Sequence, residues 1–124
     1  MIGTRMIRGL GIDIVDIRVF RKRAEQDGML EQFLTPREVA YVTSQRDRLA
    51  HAALLFSAKE AVFKGLGLGL AEGWQWHNIE VTEHWEIRLS GKLKDLAEQN
   101  SVNQIRISIS MTQNHALALV FVEG

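Results

Sequence analysis

The chain has 124 residues, of which 46% are hydrophobic and 24% charged, so it can bury one core and is not disordered. It has no cysteine, which excludes disulfide scaffolds, thiolate metal sites and cysteine nucleophiles. Its fifteen basic and fifteen acidic side chains cancel, so a general attraction to nucleic acid or to an acidic membrane has no support. No apolar run approaches the length of a membrane span, and the N-terminus lacks a signal-peptide pattern. We therefore expect a cytoplasmic protein with one domain, residues 1–124, that binds neither nucleic acid nor a membrane.

The first segment predicts a strand followed by a helix with two unlike faces. Residues 7–15 mix aliphatic side chains with two glycines, which favours a strand. Residues 16 to about 27 carry an apolar face and a basic face at helical spacing, and Gly28 is expected to end the helix. The apolar face comprises Ile17, Phe20 and Ala24. The basic face comprises Arg18, Arg21 and Lys22.

This basic face is a candidate docking surface. The first 23 residues hold six basic side chains against two acidic ones, although the whole chain is neutral. Such an excess favours contact with an acidic partner. The alternative is a helix face that is simply solvated, and the sequence does not decide between the two.

The middle of the chain predicts a helix start and then a long helix. Thr35-Pro36-Arg37-Glu38 combines a capping hydroxyl, a proline in the first turn and a glutamate that can reach back to the cap. From about position 47 to 66 apolar residues recur at helical spacing. Gly65 and Gly67 are expected to cap the end of this helix.

The last third predicts short strands, one helix and a terminal hairpin. In the hairpin's first strand aliphatic residues alternate with polar ones, the pattern of a half-buried strand. Helices in the middle and a terminal antiparallel hairpin predict an α+β fold, with an antiparallel sheet packed on the long helix. The expected elements are strands at 79–82 and 85–89, a helix at 92–99, a strand at 105–111, a turn at 112–114 and a returning strand at 115–123.

Two polar features stand out from this framework. Asp13 interrupts an otherwise apolar strand, and a buried carboxylate needs a partner because an unpaired buried charge costs several kcal/mol. Its alternative role is to cap the following helix. Glu60 and Lys64 lie four residues apart on the long helix, one turn beyond Phe56, and their alternative is an exposed ion pair. By pattern alone, neither feature identifies a reaction.

Together these features resemble the holo-acyl-carrier-protein synthases, which are the short 4′-phosphopantetheinyl transferases. One matching motif is Gly11-Ile12-Asp13-Ile14-Val15-Asp16-Ile17. The other is Phe56-Ser57-Ala58-Lys59-Glu60-Ala61-Val62-Phe63-Lys64-Gly65-Leu66-Gly67. The resemblance also includes Leu34-Thr35-Pro36-Arg37-Glu38 and covers nearly the whole chain. The combination of the two motifs is specific, whereas either alone would be weak.

The resemblance implies a transfer of 4′-phosphopantetheine from coenzyme A to a serine of an acidic acyl-carrier protein, with release of 3′,5′-ADP. In that role Asp13 and Glu60 would hold Mg²⁺, Lys64 would contact the coenzyme A phosphates, and Glu60 could act through a water as the base. Two carboxylates completed by phosphate oxygens and water are a common Mg²⁺ environment. The resemblance further implies a homotrimer with active sites at subunit interfaces, and docking of the carrier protein on the basic face of Arg18, Arg21 and Lys22.

Two single residues depart from the family pattern, and the family's Gly-Lys-Pro in the middle hairpin is missing. Leu55 stands where the family commonly has arginine, and Met111 stands where it has histidine before Thr112. Arg46 and Arg48 could replace lost phosphate contacts, with Thr112 retained, and we expect Leu55→Arg with Met111→His to tighten coenzyme A binding. The departures leave open a homologue that binds carrier proteins with weakened or lost transfer. A third hypothesis, an unrelated basic-helix interaction domain, does not explain the two carboxylates.

Overall fold

The structure, a computed structural model, describes residues 6–26, 28–67 and 73–124. It confirms the α+β expectation, with an antiparallel sheet against one long helix. None of the described helices has the length and apolarity needed to cross a membrane. The elements in chain order are β1 (Ile7–Asp16), α1 (Ile17–Ala24), α2 (Met29–Phe33), α3 (Pro36–Thr43), α4 (Arg48–Leu66), a 3₁₀ turn (Trp76–Asn78), β2 (Ile79–Val81), β3 (Ile87–Leu89), α5 (Gly91–Gln99), β4 (Gln104–Met111) and β5 (His115–Glu123).

The main sheet has three antiparallel strands in the order β1-β5-β4. Asp13 pairs with Ala118 and Asp16 pairs with His115, which fixes the alignment of β1 on the central strand. Alternate residues of β5 are buried on the face that meets α4, namely Ala116, Ala118, Val120 and Val122. The strands β2 and β3 form a separate two-stranded hairpin.

Glycines set the distance between β1 and α4. A Cβ atom at Gly11 would lie 1.8 Å from the carbonyl oxygen of Ala61, and one at Gly9 would lie 1.8 Å from that of Gly65. The two backbones can therefore approach this closely only without side chains. Gly65 is itself buried within α4, so the expectation that it caps the helix is wrong. Gly67, with a φ of 62°, is the C-cap.

The opposite face of the main sheet is apolar along β1 and β5 and at least partly exposed in the single chain. Leu10, Ile12 and Ile14 on β1 are each more than half exposed. They pair across the strands with Phe121, Leu119 and Leu117. A contiguous apolar face of this kind marks an interaction surface.

Three local predictions need correction. Helix α1 ends at Ala24 and not near position 27, which itself lies outside the described residues. Residues Met29–Phe33 form a helix that was not predicted, because five residues are too few to show a helical period. Strand β3 begins at Ile87 and not at 85, because Trp85 has a φ of 59° and belongs to the hairpin turn.

Candidate active site

Asp13 and Lys64 meet where β1 crosses α4. The Nζ atom of Lys64 donates to Oδ1 of Asp13 at 2.7 Å and to the carbonyl oxygen of Ile12 at 3.2 Å. The carboxylate in the apolar strand therefore has its partner on the long helix. The alternative role of Asp13 as a helix cap is wrong, because Asp16 is the residue that caps α1.

Glu60 lies one turn before Lys64 on α4 and is partly buried. Burial raises the pKa of Glu60, the nearby Asp13 carboxylate raises it further, and the Lys64 ammonium opposes both effects. The strand and the helix thus bring two carboxylates and one ammonium into a single cluster, which we call the Asp13–Glu60–Lys64 cluster. The sequence does not reveal this arrangement, since the two carboxylates are 47 positions apart.

A cleft of about 350 Å³ opens beside this cluster. Its walls include both carboxylates, together with Phe56 of α4 and Val19 and Arg23 of α1. Arg23 was not among the predicted site residues. It follows Val19 by four positions, so both lie on the same edge of α1, and this spacing is the signal that could have identified it.

The oxygen donors of the cluster fit a hard divalent cation that is shared with a phosphate ligand. Asp13 and Glu60 supply two carboxylates. Across residues 6–26, 28–67 and 73–124, no group of three or more acidic, histidine or cysteine side chains could hold a metal ion by itself. Mg²⁺ is often bound by one or two carboxylates, with substrate phosphates and water completing its shell.

Two of the three predicted docking residues already form ion pairs within the chain. Arg18 contacts Oδ2 of Asp16 at 3.1 Å, and this hydrogen bond is the largest of several effects that together lower the pKa of Asp16 to about 2. Arg21 donates to both carboxylate oxygens of Asp47, at 3.0 and 2.6 Å, and Asp47 is also the N-cap of α4. Lys22 is exposed. The basic face is therefore on the surface, with Arg21 also serving the fold.

The other residues expected to contact coenzyme A lie apart from the cluster in the single chain. Arg46 and Arg48 are exposed at the start of α4, and the helix rises about 18 Å from position 48 to Glu60. Thr112 lies in the turn between β4 and β5, where its hydroxyl accepts the His115 N–H at 3.0 Å. A ligand that touches all of these residues must be extended or must span two chains.

The two departures from the family pattern have different surroundings. Leu55 is 2% exposed and belongs to the core, whereas Met111 is 41% exposed at the end of β4. An arginine at position 55 would be buried in this chain, so the structure gives no support to Leu55→Arg as a way to tighten binding. Met111→His stays a usable test.

Comparisons with known proteins identify the family of this chain. The family model of the 4′-phosphopantetheinyl transferase superfamily matches residues 9–120. The holo-[acyl-carrier-protein] synthase of Geobacter sulfurreducens is 40% identical over 95% of this chain and 98% of its own. The Neisseria meningitidis holo-[acyl-carrier-protein] synthase superposes with a TM-score of 0.85 at 26% identity, covering 96% of this chain and 100% of that one. The Helicobacter pylori enzyme, solved in complex with coenzyme A, gives 0.75 at 28% identity, covering 91% and 98%. The chain therefore belongs to the 4′-phosphopantetheinyl transferase superfamily, and it is a phosphopantetheinyl transferase of the holo-[acyl-carrier-protein] synthase type.

Proposed function

We propose that this enzyme transfers 4′-phosphopantetheine from coenzyme A to a serine of an apo-acyl-carrier protein, with Mg²⁺ as cofactor and 3′,5′-ADP as the second product. The observation that carries the proposal is the Asp13–Glu60–Lys64 cluster, whose two carboxylates line an open cleft. Two carboxylates suit a dication, and an ammonium beside them suits a phosphate. The relative from Helicobacter pylori, with its bound coenzyme A, supports the choice of donor.

Each group of the cluster has a role in this reaction. The serine oxygen attacks the phosphorus that carries pantetheine, and the bond from that phosphorus to 3′,5′-ADP breaks. Lys64 places a positive charge where the leaving phosphate becomes more negative. A Mg²⁺ ion held by Asp13 and Glu60 would neutralise charge on the pyrophosphate. Glu60 is the candidate acceptor of the serine proton, directly or through water, and its raised pKa suits a general base.

A homotrimer with shared sites extends the proposal. The exposed apolar face of β1 and β5 has the character of an interface, because burying it removes large aliphatic side chains from water. Ile12 and Ile14 flank Asp13 in β1 and point to this face, whereas Asp13 points toward α4, so a chain seated here is separated from the cluster by the strand β1. Within one chain, Arg46, Arg48 and Thr112 lie apart from the cluster. A neighbouring chain could bring its own copies of these residues closer to it.

The carrier protein is proposed to dock on α1. The basic face of Arg18, Arg21 and Lys22 is accessible, and Arg23 continues the positive charge to the edge of the cleft. An acidic partner approaching this face would place its serine near the cleft that Glu60 lines. A cytoplasmic location and the lack of a nucleic-acid partner stay predictions.

The decisive experiment is mass spectrometry of an apo-carrier protein incubated with the enzyme, coenzyme A and Mg²⁺. We expect a mass gain of one phosphopantetheinyl group and an equal amount of 3′,5′-ADP. Asp13→Asn should abolish the gain, whereas Lys94→Met, at an exposed lysine of α5, should leave it unchanged. Binding of both substrates without any product would instead support a homologue that binds carrier proteins but has lost transfer.

A further inference from the structure

We propose that Lys64 is an internal counter-cation of the metal site, which holds the Asp13 carboxylate until coenzyme A arrives and so delays metal binding until that step. The inference rests on the proposed function, because it takes Asp13 and Glu60 as the Mg²⁺ ligands. It adds an order to the reaction: the dication binds together with coenzyme A and only weakly before it.

The first argument is the position of the ammonium. The Nζ atom of Lys64 donates hydrogen bonds to Oδ1 of Asp13 at 2.7 Å and to the carbonyl oxygen of Ile12 at 3.2 Å. A metal ion that used the same carboxylate oxygen would have to share it with this charge-assisted hydrogen bond or displace it. The Lys64 ammonium therefore occupies space that a metal ion bound to Asp13 would need.

The second argument is the charge of the site. With Lys64 in place, the Asp13–Glu60–Lys64 cluster carries one net negative charge when both acids are ionised, in place of two. A dication bound at this site would also lie within a few ångströms of the positive Lys64 ammonium. The repulsion between them costs free energy, and this cost decreases with the distance between the charges and with their hydration. Both effects weaken binding of a free metal ion.

The third argument is that the lysine is the partner able to leave. The Lys64 side chain is 48% exposed, whereas that of Asp13 is 13% exposed and is held by a paired strand. A phosphate bound beside the two carboxylates offers the flexible ammonium an alternative partner and adds oxygen ligands for the metal at the same moment. Binding of coenzyme A and binding of the metal should therefore strengthen each other by the same factor.

The test measures metal binding directly, with Mn²⁺ followed by electron paramagnetic resonance in place of Mg²⁺. The samples are the wild type, Lys64→Met, Lys94→Met and Asp13→Asn, each with and without coenzyme A. Without coenzyme A, we expect Lys64→Met to bind Mn²⁺ about tenfold more tightly than the wild type, because a like charge next to the metal is gone. Lys94→Met makes the same charge change on α5 and should match the wild type.

With coenzyme A present, the ranking of the samples by Mn²⁺ affinity changes. The wild type should gain Mn²⁺ affinity, and Lys64→Met should gain less because its contact with phosphate is lost. Lys64→Gln should behave as Lys64→Met does. Thermal unfolding of each variant checks that it is folded.

The inference is overturned if Lys64→Met and Lys64→Gln bind Mn²⁺ no more tightly than the wild type in the absence of coenzyme A. The proposed function survives that result provided that coenzyme A still promotes Mn²⁺ binding by the wild type and not by Asp13→Asn. If the wild type binds no Mn²⁺ even with coenzyme A, the proposed metal site is wrong and the inference falls with it.

Discussion

The ammonium of Lys59 lies 2.5 Å from Oε1 of Glu38, with the two side chains 0% and 1% exposed. This buried ion pair joins α4 to α3 at the residue that precedes Glu60. The same ammonium donates to the carbonyl oxygens of Phe33 and Trp76, so it also holds the end of α2 and the 3₁₀ turn. Burial lowers the pKa of Lys59, and the Glu38 carboxylate opposes that shift.

We expect Lys59→Met to be strongly destabilising. It leaves the Glu38 carboxylate buried without its counter-charge, and breaking a buried pair in this way costs about 3–5 kcal/mol of the free energy of unfolding. The double variant Lys59→Met with Glu38→Gln should lose less than the sum of the two single variants, because the two effects are coupled. Urea unfolding measures all three. A loss for Lys59→Met no larger than that for the exposed Lys94→Met would contradict the prediction.

We expect Glu60→Gln to stabilise the protein when no metal is present. Because its pKa is raised in the folded state, folded Glu60 holds a proton more tightly than unfolded Glu60. Stability therefore falls as the pH rises from the ordinary glutamate value through the raised one. The variant should have a higher melting temperature than the wild type at neutral pH and the same melting temperature below that pH window.

Calorimetry over a pH series checks the pH dependence of Glu60→Gln. The exposed Glu98 of α5 provides a control, since Glu98→Gln should show no such difference. A lower melting temperature for Glu60→Gln at neutral pH would mean that the charge of Glu60 stabilises the fold.

We expect Gly11→Ala and Gly9→Ala to destabilise the fold to a similar degree and to affect the site differently. Each new methyl group would collide with a carbonyl oxygen of α4, and such overpacking costs about 1–3 kcal/mol. Gly11 lies two residues from Asp13 and faces Ala61, the residue next to Glu60. Mn²⁺ binding in the presence of coenzyme A should therefore fall more in Gly11→Ala than in Gly9→Ala. If the two variants lose the same amount of Mn²⁺ binding per folded molecule, the result would argue against this local effect.

We expect Arg18→Glu with Lys22→Glu to raise the Michaelis constant for the carrier protein and to leave that for coenzyme A nearly unchanged. Charges on this face act over a Debye length of about 10 Å at 0.1 M salt, so the wild type should lose carrier affinity as salt rises and the double variant should lose less. Arg21→Glu is left out, because it would break the two hydrogen bonds that join α1 to Asp47 at the N-cap of α4, whereas Arg18 pairs locally with Asp16 at the start of its own helix. Equal changes in both Michaelis constants would reject the docking surface.

Local patterns predicted much of this fold. The predicted cap at Thr35 is a full capping box with Glu38, and the alternation in β4 and the long helix α4 are present as expected. Asp13 was recognisable as an anomaly from the sequence, because a charged residue interrupted an apolar strand, but only the family resemblance suggested what it binds.

Other features depend on contacts between distant segments and could not be predicted in this way. Lys59 and Lys64 lie five positions apart on one helix, and nothing in the helical pattern shows that one is buried and the other exposed. The buried position of Lys59 depends on carbonyl groups of Phe33 and Trp76, and the role of Gly65 depends on β1. Periodicity reports on one element at a time, whereas these contacts arise from packing.

The alternation in β1 has a consequence for how the strand finds its place. Gly9 and Gly11 lie on the face of β1 that contacts α4, whereas the side chains of Leu10 and Ile12 point away from α4. A slip of one residue would turn a leucine or isoleucine side chain against carbonyl groups that leave no room for even a methyl group. A slip of one residue is thus excluded, and the observed alignment is the one that sets Asp13 beside Lys64. The two glycines therefore exclude misaligned folds in which the carboxylates never meet.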